Sequence, residues 1–289
     1  MTASLPLLSS TQVPSEKRPA FEPAPTPMIA PIETSHLSPI SLDELVNQAA
    51  MMCRVDRKYV LTREEVNPLL FALDPHTRVL NIDGKAPQPY QSTYFDTPDM
   101  RSFNQAVHKR RRKFKIRTRT YVASQMAFLE VKATGARGVT VKERIPYDFE
   151  AAMHAHLLDE VRPWLEEQLT KAGQPAGTGA SLQPIMWGSY NRTTLLMADG
   201  AGRATFDTEL DWQNAHGAYI SEPDMVIFET KSGSRPSELD RLLWSHGHRP
   251  AKISKFGTGM AALDPRLPHN RWTRVLRRHF HLTEFEDLH

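Results

Sequence analysis

The chain has 289 residues, of which 40% are hydrophobic and 24% charged, the balance of an ordinary globular protein. Lys and Arg number 36 against 33 Asp and Glu, so the formal net charge is only +3, which excludes a uniformly basic surface. The single cysteine, Cys53, excludes an intrachain disulfide and a thiolate zinc cluster, and its place beside Met51 and Met52 favours a core residue over a nucleophile. Any site for a polyanion must therefore concentrate its positive charge locally.

The N-terminal region is rich in proline. Because proline fixes φ and lacks an N–H group, residues 1–40 are predicted to form a disordered tail, with a short linear interaction motif as the alternative. We find no run of about 18 apolar residues and no basic segment followed by an apolar one at the start of the chain. We therefore expect a cytoplasmic protein without a direct membrane span, and the sequence leaves a membrane-protein partner open.

Order is predicted to begin at Ser41, where Ser41–Glu44 has the pattern of a capping box. A second box at Thr62–Glu65 opens a helix with Pro68 in its first turns, and further helices are predicted at 149–169 and after Pro236. Segments with strand character are predicted at 54–61, 92–95, 113–121, 127–132, 139–145, 186–196, 203–209 and 225–231. The main domain is predicted to span 41–263, followed by a C-terminal tail at 264–289 that docks as a helix or stays mobile.

The charged residues of these strands alternate with apolar ones. In 113–121 every second residue from Lys113 to Arg119 is basic, whereas Phe114 and Ile116 fall on the other face. Taken alone, this pattern is typical of a solvated edge strand. The adjacent run Lys109–Lys113 also matches a nucleic-acid or nuclear-localisation signal, although short basic runs are weak evidence.

The same alternation recurs in later segments. It places together Glu130 with Lys132, Lys142 with Arg144, Arg192 with polar neighbours, Arg203 with Asp207, and Glu229 with Lys231. One antiparallel barrel with its apolar faces outward and its charged faces inward explains all of these strands. Two like charges about 8 Å apart repel by roughly 2 kcal/mol at an effective dielectric near 20, so the interior needs carboxylates, water or a bound polyanion. A linear phosphate chain fits such an interior best.

Two isolated carboxylates among these cations are candidate ligands of a divalent metal. They are Glu130 and Glu229. The alternative for each is an internal ion pair with a neighbouring Lys or Arg. We find no convincing Ser-His-Asp or Cys-His arrangement and no histidine spacing typical of a metal site.

Short motifs with this pattern resemble, in order, those of a known family. They are Arg57-Lys58-Tyr59, Tyr94-Phe95-Asp96, the segment 116–121, Glu130-Val131-Lys132, Lys142-Glu143-Arg144, Tyr190-Asn191-Arg192-Thr193, the segment 203–207, Glu229-Thr230-Lys231 and the segment 252–256. Any one of them is weak evidence, but nine in the same order are strong. On these motifs the chain resembles the VTC domain family, the polyphosphate polymerase branch of the CYTH-like triphosphate tunnel metalloenzymes.

The resemblance implies an α+β fold built on a closed antiparallel eight-stranded β-barrel, the triphosphate tunnel, with peripheral helices. It implies catalytic roles for Arg117, Arg119, Arg192 and Lys255. It implies phosphate binding by Lys58, Lys132, Lys142, Arg203, Lys231 and Lys252. It also implies a Mn²⁺ or Mg²⁺ cofactor, with Glu229 as the metal ligand.

The expected activity is that of a transferase, a metal-dependent phosphotransferase that adds the ATP γ-phosphate to a growing polyphosphate chain. The expected partners are ATP or another triphosphate and inorganic polyphosphate, without nucleic acid. The alternatives are a triphosphate or polyphosphate hydrolase of the same fold and a non-catalytic polyphosphate-binding module. The segment Arg54–Lys58 lacks the Glu-x-Glu-x-Lys signature of the tunnel hydrolases, which argues against that branch. The predicted N-terminal tail is also too short for an SPX sensor domain.

Overall fold

The computed structural model describes residues 31–49, 55–134, 140–198, 202–233 and 235–280. The strands in these residues are β1 (Ser38–Ile40), β2 (Val55–Thr62), β3 (Arg78–Leu80), β4 (Gln88–Asp96), β5 (Phe114–Tyr121), β6 (Met126–Thr134), β7 (Thr140–Tyr147), β8 (Gln183–Leu196), β9 (Arg203–Asn214), β10 (Tyr219–Glu222) and β11 (Met225–Ser232). The α-helices are α1 (Leu42–Ala49), α2 (Val66–Phe71), α3 (Arg101–Val107), α4 (Phe149–Met153), α5 (Arg162–Lys171), α6 (Glu238–Ser245), α7 (Lys255–Leu263) and α8 (Thr273–His279).

Eight strands follow one another in a single antiparallel sheet, in the order β2-β11-β9-β8-β4-β5-β6-β7. β10 pairs with β9, β3 pairs with β8, and the short β1 pairs with β3 in parallel. Within the described residues no ladder joins β2 to β7, so the predicted closed barrel is not confirmed. Instead, the amide of Ala251 donates to the carbonyl of Lys58 at 2.7 Å, so a loop backbone takes up part of the β2 edge. The fold is antiparallel, β-rich and α+β.

One face of the sheet is apolar and lies under helices. Over one half, Phe206 and Phe228 pack with Leu239 of α6. Over the other half, Ile116 of β5 packs with Leu165 of α5. These residues alternate with the charged residues of the same strands, so the charged side chains point to the opposite face.

The opposite face is not charged along its whole length. At one end α7 packs against it, where Phe256 stacks on Tyr94 with ring centroids 5.2 Å apart. The indole Nε1 of Trp212 donates to the carbonyl of Lys255 at 2.9 Å, which holds the start of α7 against β9. Helices α3 and α8 complete this cluster. The expectation that apolar residues lie only on the outside is therefore wrong at this end, because α7 needs an apolar surface to bury its own.

The single helix predicted at 149–169 is also wrong. The segment contains α4, a 3-10 turn at Asp159–Val161, and α5. Ala155 has a φ of 60°, and Pro163 lies in the first turn of α5. Because proline has no amide hydrogen to donate, a helix arriving from α4 cannot run through Pro163.

Both predicted domain boundaries lie inside ordered chain. Leu37 and Ile40 are buried, and β1 pairs with β3, so the fold begins before residue 41. Val275 and Leu276 of α8 are buried, so the fold continues beyond residue 263. Residues 1–30 and 281–289, together with Cys53, lie outside the described residues. None of the described helices has the length and apolar character needed to cross a bilayer.

Candidate active site

The register of the sheet aligns cations with carboxylates on neighbouring strands. The aligned pairs are Lys58 with Glu229, Arg192 with Asp207, and Arg117 with Glu130. Because residues directly opposite each other on paired strands share a face, their side chains meet. We call the surface formed by these six residues and Arg119, Lys142, Lys231 and Lys255 the charged face.

Glu130 is the most enclosed by cations. Arg117 donates to its Oε2 through Nε at 2.8 Å and Nη2 at 2.6 Å, and Lys142 donates to Oε1 at 2.9 Å. Arg119 lies 3.9 Å away. Burial alone would raise the pKa of Glu130, but these cations outweigh burial and hold it well below its usual range. This geometry is that of the internal ion pair, the alternative to a metal ligand at this position.

Asp207 forms the second cluster. Arg192 donates to both of its oxygens, through Nε at 2.6 Å and Nη2 at 2.8 Å, and Lys255 also donates to it. Burial opposes ionisation, yet Arg192 and Lys255 lower the pKa of Asp207 to about 2. The guanidinium carbon of Arg192 lies 5.4 Å from the ring centroid of Tyr90 and 5.3 Å from that of Tyr190.

Asp207 was not among the predicted site residues. Its signal in the sequence was its alternation with Arg203 and Thr205 on β9. That alternation predicts the face on which Asp207 lies but not its partners, which come from β8 and α7.

Glu229 is the most accessible of the three carboxylates. Its side chain is 14% exposed, against 3% for Glu130 and 2% for Asp207. Lys231 contacts it at 2.9 Å and Lys58 at 3.3 Å. Burial would raise the pKa of Glu229, but Lys58 and Lys231 hold it well below its usual value, so the carboxylate is ionised.

A divalent cation fits Glu229 only in company with other ligands. Among the described residues no three His, Cys, Asp or Glu side chains converge, so the protein does not supply a complete metal cage there. Mg²⁺ is usually bound by one or two carboxylates together with substrate phosphates and water. Glu229 therefore suits a metal that is shared with a bound phosphate.

Lys115 is a further cation next to the charged face that was not among the predicted site residues. Its Nζ donates to the hydroxyl of Ser254 at 3.2 Å and lies 5.4 Å from the ring centroid of Phe256. Burial lowers the pKa of Lys115 well below its usual value, and the positive charges of Arg117 and Lys58 lower it further. Its position in the alternation with Arg117 was the available signal.

The other predicted phosphate-binding residues lie around the charged face. Lys132 is exposed, and its register partners are Lys115 and Lys142. Arg203 lies opposite Lys231. Lys252 is exposed in the loop before α7. The structure thus brings the catalytic candidates into contact with carboxylates and leaves Lys132 and Lys252 facing solvent.

The start of α7 adds to the positive potential. The hydroxyl of Ser254 accepts from the amide of Gly257 and caps this helix, whose first residue is Lys255. The amide groups of a helix N-terminus carry partial positive charge, so this end of α7 reinforces Lys255. Together, these groups can bind an anion with several phosphate groups, because bidentate arginines and point-charge lysines alternate along one surface.

Three solved structures that match the chain each have a TM-score below 0.5. A protein from Hippeastrum, described as having a dominant triphosphatase activity, has 15% identity and a TM-score of 0.44, with 72% of this chain and 95% of that chain covered. A protein from Pyrococcus horikoshii OT3 has 10% identity and a TM-score of 0.36, and a conserved hypothetical protein from Pyrococcus furiosus has 14% and 0.37. Each of the two comparisons covers 67% of this chain and 87% of the other. No curated protein matches the sequence.

A family model gives the stronger finding. The model of the VTC domain matches residues 53–264. This range contains every residue of the charged face and extends from the start of β2 to the end of α7. The chain therefore belongs to the VTC domain family.

Proposed function

We propose that this protein is a polyphosphate polymerase, which transfers the γ-phosphoryl group of ATP to the end of a polyphosphate chain bound along the charged face. The main support is the convergence of seven cations on three carboxylates. The cations are Lys58, Arg117, Arg119, Lys142, Arg192, Lys231 and Lys255. Membership of the VTC family supports a triphosphate or polyphosphate as the substrate.

The carboxylates hold the cations in place until phosphate arrives. Glu130, Asp207 and Glu229 each engage two or more Lys or Arg side chains, which offsets the repulsion among them. A bound phosphate offers further acceptor oxygens at the same surface. Arg117 and Arg192 would bind these oxygens through the guanidinium N–H groups that do not donate to Glu130 or Asp207, and the lysines would bind them as single charges.

In the proposed reaction, a terminal oxygen of the polyphosphate chain attacks the γ-phosphorus of ATP. A new P–O bond forms, the bond from the γ-phosphorus to the β–γ bridging oxygen breaks, and ADP leaves. Arg117, Arg119 and Arg192 would hold the reacting phosphates in line, while Lys255 and Lys252 would guide the chain. Glu229 would hold Mn²⁺ or Mg²⁺ together with phosphate oxygens, and the ion would neutralise charge on the transferred group.

The ionisation of the carboxylates favours a phosphate acceptor over water. Attack by water requires a group to take its proton, and a good general base has a pKa near the working pH. The pKa values of Glu130 and Glu229 lie well below their usual range, and that of Asp207 is about 2, so these groups are weak bases. A terminal phosphate is already an anionic nucleophile and needs no base.

The proposal is tested by incubating the purified protein with ATP and either Mn²⁺ or Mg²⁺ and separating the phosphate products by chain length. We expect polymer from the wild type. Glu229→Gln keeps the size of the side chain but removes its charge, so we expect polymer synthesis to fall by about 10²–10³-fold. Glu167→Gln is the matched control, because Glu167 is exposed on α5 and pairs only with Lys171 along the same helix.

Each product pattern has a distinct meaning. Release of free phosphate without polymer would identify a hydrolase and overturn the proposal. Tight binding of tripolyphosphate that survives chelation, with ATP unchanged, would identify a binding module instead. Normal synthesis by Glu229→Gln would refute the role assigned to Glu229.

A further inference from the structure

A second concentration of positive charge lies outside the charged face. No Asp or Glu occurs between positions 100 and 129 or between positions 265 and 283. In the first stretch Lys109 and Arg110 are exposed in the turn between α3 and β5. In the second, Arg274, Arg277 and Arg278 are exposed on α8. We call these five residues the outer basic surface.

The start of α8 contacts α3, the helix that leads into the turn, at one corner of the molecule. The guanidinium Nη1 of Arg271, just before α8, donates to the carbonyl of Ala106 in α3 at 2.6 Å. The rings of Phe103 and Trp272 lie 5.9 Å apart in the same junction. The amide of Arg110 donates to the carbonyl of Gln105 at 2.8 Å, which fixes the turn. The exposed cations are thus presented by ordered backbone from two segments far apart in sequence.

Further basic residues lie between this corner and the charged face. Lys115 stands near the start of β5, three residues after the turn. The Nζ of Lys115 lies 5.4 Å from the ring centroid of Phe256, and that ring lies 6.3 Å from the ring of Phe103, which packs on Trp272. Lys132 lies opposite Lys115 in the register of the sheet. Arg271 is the residue that joins α8 to α3, and Lys132 is exposed. Basic side chains therefore follow one another from Arg117, past Lys115 and Lys132, to Arg271 at the outer corner.

We propose that a long polyphosphate chain leaves the charged face past Lys132 and Arg271 and continues over the outer basic surface. This inference rests on the proposed function. A triphosphate is short enough to be held by the charged face alone, whereas each further phosphate of a long chain brings another negative charge to the outer cations. The protein then binds long chains more tightly than tripolyphosphate, and the excess affinity resides in the turn and α8.

A polyphosphate chain suits this surface better than another polyanion because the surface continues a site with the same chemistry. The net charge of the whole chain is only +3, so the local excess is matched by acidic residues elsewhere and is not a general basic coat. An RNA or an anionic membrane would have no need of a path that leads from Arg117 to the surface.

The test compares the affinities of the full chain for tripolyphosphate and for long-chain polyphosphate by competition at several salt concentrations. The variant Arg110→Gln/Arg274→Gln/Arg277→Gln removes three outer cations and none of the charged face. We expect its affinity for the long chain to fall on the order of tenfold, with a salt dependence weakened by about one unit of slope per lost contact. Its affinity for tripolyphosphate should stay unchanged.

The matched control is Lys85→Gln/Arg241→Gln/Arg249→Gln, which removes three exposed cations from other parts of the described surface. It should leave both affinities unchanged, and equal thermal midpoints for the two triple variants would exclude unfolding as the cause. A wild type that binds tripolyphosphate but gains nothing from a longer chain would overturn this inference and leave the proposed function standing. So would a triple variant that loses binding to RNA or to phosphatidylserine vesicles but keeps its affinity for the long chain. A wild type that does not bind tripolyphosphate would overturn both proposals.

Discussion

Lys115 shows, at the residue scale, the free-energy cost of placing an ammonium group among other cations. It is partly buried among other cations, and its hydrogen bond goes to a neutral hydroxyl, that of Ser254. An unfolded chain would hold the ammonium group in water, where its pKa is near the ordinary value for lysine. Keeping the charge at this position therefore destabilises the fold in the absence of an anion.

We expect this cost to depend on pH. Because the pKa of Lys115 is lowered in the fold, its neutral form is favoured there, and its contribution is most favourable above the unfolded-state pKa of about 10.4. That contribution is lost progressively as pH falls from about 10.4 towards the lowered value, because the unfolded chain takes up the proton first. The variant Lys115→Met has a side chain of similar length that does not titrate. The free energy of unfolding of the variant minus that of the wild type should therefore increase as the pH is lowered from 10 to 7, as measured by urea titrations.

Lys85→Met provides the control, because Lys85 is exposed in the turn before β4. Its effect on the free energy of unfolding should be the same at both pH values. A pH-independent effect of Lys115→Met would show that Lys115 keeps an ordinary pKa in the folded protein.

The element that completes the charged face is α7, and its position depends on small residues. A methyl group added at Gly259 would lie 2.6 Å from the ring of Trp212, closer than two carbon atoms can approach. The same tryptophan donates to the carbonyl of Lys255. The absence of a side chain at Gly259 therefore allows α7 to lie close enough to β9 for Lys255 to reach Asp207.

We expect Gly259→Ala to push the helix away from β9. Overpacking of this kind typically costs about 1–3 kcal/mol of stability, and here it should also weaken tripolyphosphate binding because Lys255 moves away from the charged face. Stability is measured by urea denaturation and binding by calorimetry. Gly233→Ala is the control, because a methyl group at Gly233 would meet no atom within 4 Å. If the Gly259→Ala protein folds and binds tripolyphosphate as tightly as the wild type, the position of α7 does not control phosphate binding.

Most strands could be predicted at this scale, whereas several helices could not. The alternation of charged and apolar residues in β5 is visible in sequence because every second side chain shares a face. Helix α3 was missed because Met100, the residue before it, is in a left-handed conformation and makes no side-chain cap. The first amides of α3 donate instead to the side chains of Asp96 and Thr97, which lie outside the usual capping position. The predicted helix at 149–169 followed the apolar spacing and overlooked the break before Pro163.

For the whole molecule, the proposed binding of phosphate at the charged face would couple ligand binding to stability. A ligand that binds only the folded state at one hundred times its dissociation constant stabilises the fold by about 2.7 kcal/mol. We therefore expect tripolyphosphate to raise the midpoint of thermal unfolding by about 5–10 °C in this size range. Added salt should reduce the shift, because it screens the attraction between phosphate and the partly exposed cations.

The variant Lys58→Gln/Lys231→Gln tests whether this shift arises at the charged face. Both lysines pair with Glu229, the most accessible carboxylate, so the variant should fold and show a smaller shift. An equal shift in the variant and the wild type would place the binding of tripolyphosphate elsewhere on the protein.

By itself, the sequence determined which residues of each strand share a face, because strand geometry fixes the alternation of side chains locally. It also determined the family, because the motifs occur in order along the chain. Only the tertiary structure decided which cation meets which carboxylate, since the contacts of Asp207 join β8, β9 and α7, which are distant in sequence. It likewise decided that a loop backbone hydrogen-bonds to the β2 edge and that α7 covers one end of the sheet face that carries the charged side chains. Those outcomes depend on packing between distant segments, which no local pattern of residues encodes.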